Sequence, residues 1–177
     1  MSALYGPRAS YAQLKRVVTG YFPGLWLPLE MALTTILALV PADVVNPPTC
    51  IFVGPSSSAK TTVLDMVGEI DGVTYRSDKF TPQALVSHAA NVKRADLEKV
   101  DLLPRLKHRT LVTPELAPLF RGNEDALTDT FAILTAVLDG HGYTSDSGTQ
   151  GRRGYTGDEY LFAWLGRPPR SQRTSGK

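Results

Sequence analysis

The chain has 177 residues, of which 42% are hydrophobic, so it can bury one sizeable core and matches the usual length of a single domain. Its 19 basic and 17 acidic side chains give a formal net charge of +2, which is not the strongly basic balance of a dedicated nucleic-acid binder. The single cysteine, Cys50, excludes an internal disulfide and favours a reducing, cytoplasmic setting. Neither a signal peptide nor a membrane span is indicated, so no membrane partner is expected.

A helical N-terminal segment is predicted for residues 1–48. The helical pattern runs from Tyr11 to Pro41, with a break at residues 20–24. Its most apolar part has Pro28 in the first turn, which predicts a buried helix that stops before Pro41. The apolar positions of this helix repeat at helical spacing. They are Leu29, Ala32, Leu33, Ile36, Leu37 and Val40.

Four short runs rich in β-branched and aromatic residues predict strands in the segment 49–166. The first run carries no charge, and we therefore expect it to be buried on both faces, as strands of parallel sheets are. The predicted strands are residues 49–53, 73–75, 110–113 and 160–165.

Helices are predicted between these strands. Residues 61–67 have helical character, and Thr81 caps a helix that is expected to reach about Asn91. Asn123 caps the clearest helix of the chain, which Gly140 ends. Strands that alternate with helices indicate an α/β fold with a mainly parallel sheet flanked by helices.

A phosphate-binding motif follows the first predicted strand. The sequence from Gly54 to Thr61 reads G-x-x-x-x-A-K-T, which departs from the P-loop pattern G-x-x-x-x-G-K-[ST] at Ala59. A loop between a strand and a helix N-terminus lets backbone N–H groups converge on phosphate oxygens. Lys60 is therefore predicted to contact the β- and γ-phosphates of ATP, and the Thr61 hydroxyl to bind Mg²⁺. The predicted nucleotide-binding residues are Gly54, Pro55, Ser56, Ser57, Ser58, Ala59, Lys60, Thr61 and Thr62.

The departure at Ala59 adds a methyl group where the loop should pass close to phosphate. Alanine is tolerated there if φ is negative, as we expect on entering a helix. The alternative interpretation of the segment is a serine-rich turn that caps a helix.

An acidic residue at the end of a neighbouring strand would complete an ATPase site. Glu115 follows the predicted strand 110–113 and is expected to hold Mg²⁺ or to orient the attacking water. Asp78 is the second candidate for this role. In the alternative interpretation, Glu115 is an acid at a helix start that complements the helix dipole.

The glycine-rich loop 141–155 carries the adjacent arginines Arg152 and Arg153 and two tyrosines. Such a composition fits contact with a nucleic-acid backbone, or an arginine finger toward the ATP of a neighbouring subunit in a homo-oligomer. A solvated hairpin connection is the alternative. The three histidines, His88, His108 and His141, lack metal-ligand spacing and are predicted to be structural or surface residues.

With the phosphate loop, the strand before Glu115 and the segment Ile133–Gly140, the chain from Phe22 to Leu165 resembles the RecA-like and AAA+-type P-loop ATPases of phage and mobile-element replication. These form the helicase and primase-helicase-like group. The resemblance implies a RecA-like P-loop NTPase fold, ATP and Mg²⁺ as ligands, and single-stranded or duplex DNA as a partner.

The chain departs from that group in three places. The group usually has Asp where this chain has Glu115, and it places a polar sensor residue after the fourth strand, where this chain has Gly166 and Arg167. The group's core also continues through another strand and helix, whereas residues 167–177 form a basic tail that is predicted to be disordered. We therefore expect an incomplete core, from a truncated copy or a fragment of a longer protein.

Three functions are consistent with these residues. The leading expectation is the ATP-binding and ATP-hydrolysing domain of a DNA-linked, helicase-like ATPase. The second is a small-molecule P-loop kinase, in which the arginine loop serves as a lid. The third is a nucleotide-binding module that does not hydrolyse ATP, which Ala59 and the missing sensor residue favour. Phosphate release stimulated by single-stranded DNA would favour the first function.

Overall fold

The predicted α/β class is confirmed, because the chain forms a parallel sheet flanked by helices. The computed structural model describes residues 9–55, 58–88, 92–148, 151–156 and 158–168. Its helices are α1 (Tyr11–Tyr21), α2 (Trp26–Leu37), α3 (Lys60–Val67), α4 (Leu97–Val100), α5 (Leu102–Leu106) and α6 (Glu124–Leu138). Its strands are β1 (Thr49–Ile51), β2 (Thr74–Arg76), β3 (Thr110–Thr113), β4 (Gly142–Ser147), β5 (Gly151–Thr156) and β6 (Ala163–Gly166). Across the described ranges, we find no helix that is long and apolar enough to cross a membrane.

The central sheet has four strands in the order β1-β6-β3-β2, and every neighbouring pair is parallel. The last strand, β6, therefore lies between β1 and β3, and β1 is left at an edge. The prediction that residues 49–53 are buried on both faces is wrong: Thr49 is exposed, Cys50 is half-buried and Val53 is 81% exposed. An apolar run identifies a strand, but the topology decides which strands are central.

Side chains alternate between the two faces of the sheet, so neighbouring residues of one strand enter different cores. One core lies between the sheet and helices α2 and α3; the other lies beneath α5 and α6. The first contains Leu29, Ala32, Ile36, Val63, Leu64, Val67, Val112 and Leu165. The second contains Leu102, Leu103, Leu106, Leu111, Leu134, Val137, Phe162 and Trp164.

The N-terminal segment forms two helices with a break at residues 23–25, close to the predicted position. Ser10 caps α1 with a capping box. The second helix ends at Leu37, earlier than predicted, so Leu37 is 62% exposed and Val40 is 75% exposed. Because α2 contributes to the first core, the N-terminal segment packs on the sheet.

The helix predicted from Thr81 to about Asn91 is wrong as far as the structure describes it. A single 3₁₀ turn, Pro82–Ala84, forms there, and Asn91 lies outside the described residues. The Ser87 N–H donates to the Asp101 carboxylate, and the Leu85 carbonyl accepts a hydrogen bond from Leu103. Tertiary hydrogen bonds thus occupy backbone groups that a helix would use internally.

The segment after α6 is more regular than predicted. Asn123 caps α6 through Ala126 N (3.0 Å), and Gly140 follows the helix with a left-handed φ of 76°, both as predicted. In the segment predicted as the loop 141–155, β4 and β5 pair as an antiparallel hairpin, which agrees with the alternative interpretation as a hairpin connection. A Cβ at Gly154 would lie 2.3 Å from the Tyr143 carbonyl oxygen, so the hairpin pairs closely only with glycine there.

Candidate functional site

The loop that precedes α3 leaves the sheet at the carboxyl end of β1, the end where parallel α/β sheets bind ligands. Phe52 N donates to Gly166 O (2.8 Å), so the chain stays beside β6 for one residue beyond the strand. The eight-residue helix α3 then begins at Lys60 with no side-chain cap among the described residues and no acid in its first turn. Ser56 and Ser57, two of the predicted binding residues, lie outside the described residues. The start of a helix, where backbone N–H groups have no partner within the helix, favours an anion.

The Lys60 ammonium lies against its own loop. Nζ donates to Gly54 O (2.7 Å), Pro55 O (2.5 Å) and Ser58 Oγ (2.8 Å). These acceptors are all neutral, and no carboxylate of the described residues lies within salt-bridge distance of Lys60. A lysine charge that neutral oxygens orient but do not neutralise is well placed to attract phosphate.

Ala59 adopts a left-handed conformation with φ 55° and ψ 18°, so the expected negative φ at this position is wrong. The loop makes its turn into α3 at this residue, and the turn requires the left-handed region that glycine occupies without steric cost. The motif's usual glycine thus matches the backbone here, whereas Ala59 is strained. Sequence reasoning missed this because it placed residue 59 on the helical side of the boundary.

Thr61 and Thr62 lie in the first turn of α3, and both are exposed. The Thr61 hydroxyl is an oxygen donor of the kind that Mg²⁺ prefers. It directly follows the lysine that would contact the same phosphates. Lys60 and Thr61 both lie in the first turn of α3, and their contacts with phosphate and Mg²⁺ stay predictions.

Glu115 lies just beyond the carboxyl end of β3, on the same edge of the sheet as the loop. Its Oε2 forms a salt bridge with Arg167 Nη2 (3.0 Å), and its Oε1 accepts a hydrogen bond from Ala117 N (3.2 Å). Its side chain is 34% exposed. The carboxylate is thus within reach of solvent, but a cation already holds one of its oxygens.

Arg167 is a site residue that sequence reasoning assigned to the tail. Its backbone oxygen accepts from Leu116 N (3.1 Å), which fixes the residue between the ends of β1 and β3. Its side chain is 12% exposed, and among the described residues its buried Nε has no hydrogen-bond partner. The available signal was its position directly after the fourth strand, where the resembling ATPases carry a polar sensor residue.

Asp78, the second candidate acid, follows β2 and pairs with Arg76 (3.1 Å). Strands of a sheet are about 4.8 Å apart, so β3 lies about 10 Å from β1 and β2 about 14 Å from it. The sheet order therefore places Glu115 nearer to the phosphate loop than Asp78.

Arg153 is occupied inside the protein. Its Nη2 pairs with Asp101 Oδ2 (2.6 Å), and its Nη1 donates to the Ser87 carbonyl. Asp101 is fully buried, and Tyr155 also donates to it. Burial, followed by the hydrogen bond to Asp101, raises the pKa of the Tyr155 hydroxyl. The DNA or trans-acting roles of Arg153 and Arg152 stay predictions; the structure shows that Arg153 is engaged within the fold and that Arg152 is exposed.

The described residues hold no cluster of three or more His, Cys, Asp or Glu that could bind a metal ion by itself. His88 instead shares a hydrogen bond with Ser145 (2.7 Å) on the hairpin, in keeping with a structural role. A magnesium site would therefore depend on Thr61, on Glu115 and on oxygens of the nucleotide.

No protein-family model, curated protein or solved structure matches the chain. The assignment of function therefore depends on the geometry above.

Proposed function

We propose that this protein binds ATP with Mg²⁺ through the loop Gly54–Thr61 and hydrolyses it. The observation that carries the proposal is the Lys60 ammonium, which three neutral loop oxygens hold at the N-terminus of α3. A cation and the positive end of a helix dipole there favour the same ligand, a polyanion.

The residues present fit the nucleotide and its metal. Lys60 would exchange one or more loop oxygens for phosphate oxygens, and the Thr61 hydroxyl would ligate Mg²⁺. A Mg²⁺ ion held there would offset the negative charge of the phosphates. The strand order β1-β6-β3-β2 supports the assignment of Glu115. The carboxyl ends of β1 and β3 lie at the same end of the parallel sheet, with only β6 between them.

Glu115 would orient the attacking water, and Arg167 would stabilise the charge that develops on the phosphates. The salt bridge from Arg167 and the hydrogen bond from Ala117 N leave each carboxylate oxygen of Glu115 a further lone pair, which could accept a hydrogen bond from the water. Arg167 has further guanidinium N–H groups beyond the Nη2 that contacts Glu115, and one of these would serve as the donor to a phosphate oxygen.

We further propose that this activity is helicase-like and linked to DNA. The resemblance and the exposed Arg152 support this part, whereas the Arg153 side chain is 9% exposed and pairs with Asp101. We therefore expect any DNA effect on phosphate release to depend on Arg152, in a homo-oligomer or a single chain.

The test measures MgATP affinity by calorimetry and phosphate release, with and without single-stranded DNA. Lys60→Ala should weaken MgATP binding about 10- to 100-fold, since hydrogen bonds to charged groups contribute about 1.5–3 kcal/mol each. The matched control is Lys79→Ala, which removes an exposed lysine outside the loop and should bind like the wild type.

Glu115→Gln should bind MgATP and lose phosphate release by about 100-fold, the scale on which removing one transition-state partner acts. Binding without release in the wild type would replace the ATPase by a non-hydrolysing nucleotide module. If the wild type binds no MgATP, or if Lys60→Ala binds as tightly as the wild type, the proposed function is wrong.

A further inference from the structure

A cleft of about 480 Å³ opens beside the phosphate loop. One wall is the turn between α1 and α2, residues 21–25; the other is formed by Ser58, Ala59 and Thr62. Of these three residues, Ser58 and Ala59 belong to the predicted phosphate-binding motif Gly54–Thr61. The cleft is therefore continuous with the proposed triphosphate site, and its volume falls within the usual range of ligand pockets.

Two aromatic side chains of the turn line this cleft, and neither is buried in a hydrophobic core. Tyr21 is 79% exposed and Phe22 is 49% exposed. Exposed aromatic rings beside a charged site are typical of platforms on which a planar ligand stacks.

The platform is held in place by the residues that follow it. Leu25 and Trp26 are both 7% exposed and belong to the first core. Backbone hydrogen bonds connect Phe22 N to Val18 O (2.7 Å) and Leu25 N to Phe22 O (2.9 Å). The turn is thus anchored on both sides, while its two aromatic residues remain open to solvent.

We infer that this cleft binds the base and ribose of the nucleotide, with Tyr21 and Phe22 stacking on the base. The inference rests on the proposed function, because the loop must hold the phosphates for the base to reach the turn. Stacking accepts any planar base, whereas the Thr62 hydroxyl offers a hydrogen bond for a polar group of the nucleoside.

The experiment compares a triphosphate ligand that carries the nucleoside with one that lacks it. Magnesium ATP and magnesium tripolyphosphate are titrated into the wild-type protein and into Tyr21→Ala and Phe22→Ala. The wild type should bind ATP about tenfold or more tightly than tripolyphosphate, and each variant should lose most of that difference while its tripolyphosphate affinity stays the same. Leu37→Ala, which removes an exposed apolar side chain of α2 outside the cleft, should behave like the wild type.

The outcomes separate this inference from the proposed function. If neither ligand binds, the triphosphate site is wrong and the base site falls with it. If both ligands bind equally, or if both aromatic variants keep the preference for ATP, the phosphate loop stands and the base cleft is wrong. If Tyr21→Ala changes the oligomeric mass while both affinities stay unchanged, the aromatic pair belongs to an interface between copies, which also overturns the inference.

Discussion

Two cations of this protein are held by oxygen atoms in contrasting ways. Arg153 is 9% exposed and is paired with the fully buried carboxylate of Asp101, so its charge is neutralised within the fold. Lys60 is held by two carbonyl oxygens and one hydroxyl, which orient the ammonium without neutralising it. The contrast shows that neighbouring oxygen atoms do not by themselves mark a cation as structural. The charge of its partners decides whether it can still attract an anionic ligand.

The largest expected change in unfolding free energy concerns Arg153, the cation that is neutralised within the fold. Asp101→Ala leaves Arg153 buried without its counter-charge, which should lower the free energy of unfolding by about 3–5 kcal/mol. Chemical denaturation would measure the loss. The matched control is Asp96→Ala, which removes an exposed salt bridge with Lys99 and should cost less than about 1 kcal/mol. Equal small losses in both variants would mean that the hairpin is not anchored through Asp101.

A pH titration also tests the buried cluster around Asp101, because Tyr155 donates a hydrogen bond to its carboxylate. The pKa of Tyr155 is raised by burial first and by Asp101 second, so the folded protein retains this proton at a pH where the unfolded chain has lost it. The resulting stability is fully present below the usual tyrosine pKa of about 10 and decreases as the pH rises above it. Tyr155→Phe should therefore differ most from the wild type in unfolding free energy at pH 8, and the difference should shrink by pH 11. A difference that stays constant with pH would contradict the raised pKa.

The smallest expected effect tests the phosphate loop itself. Ala59→Gly should raise the free energy of unfolding by about 1 kcal/mol, because glycine relieves a left-handed conformation that costs alanine roughly 1–2 kcal/mol. Ala132→Gly, at an exposed position within α6, should lower it by about 1 kcal/mol. Opposite signs at the two alanines would confirm the turn at residue 59. Equal losses would indicate a negative φ there, as the sequence alone predicted.

Features encoded by local patterns could be predicted from the sequence. The strands near residues 74, 110 and 163, the helix α3 and the helix capped by Asn123 follow from apolar spacing and capping residues. The order of Lys60 and Thr61 in one helical turn follows from the motif. In these segments the sequence pattern favours one type of secondary structure clearly over the others.

Features that depend on distant partners could not be predicted. The hairpin and the segment that follows the 3₁₀ turn Pro82–Ala84 are joined by Asp101, whose carboxylate contacts Arg153 of the hairpin and Ser87 of that segment. Arg167 was assigned to a disordered tail because its composition resembles one, although Glu115 and the Leu116 backbone hold it in the fold. The spacing of residues along the sequence does not indicate which distant segments come into contact.

The packing of α2 also affects how the protein unfolds. Leu29, Ala32 and Ile36 of α2 share one core with Val63 and Leu64 of α3, so we expect the two helices to unfold as one cooperative unit. Amide hydrogen exchange should show α2 and α3 opening together. A shortened chain that began at Thr49 would present the uncovered face of its sheet to water, and the loop that begins α3 would lose the support that shapes it.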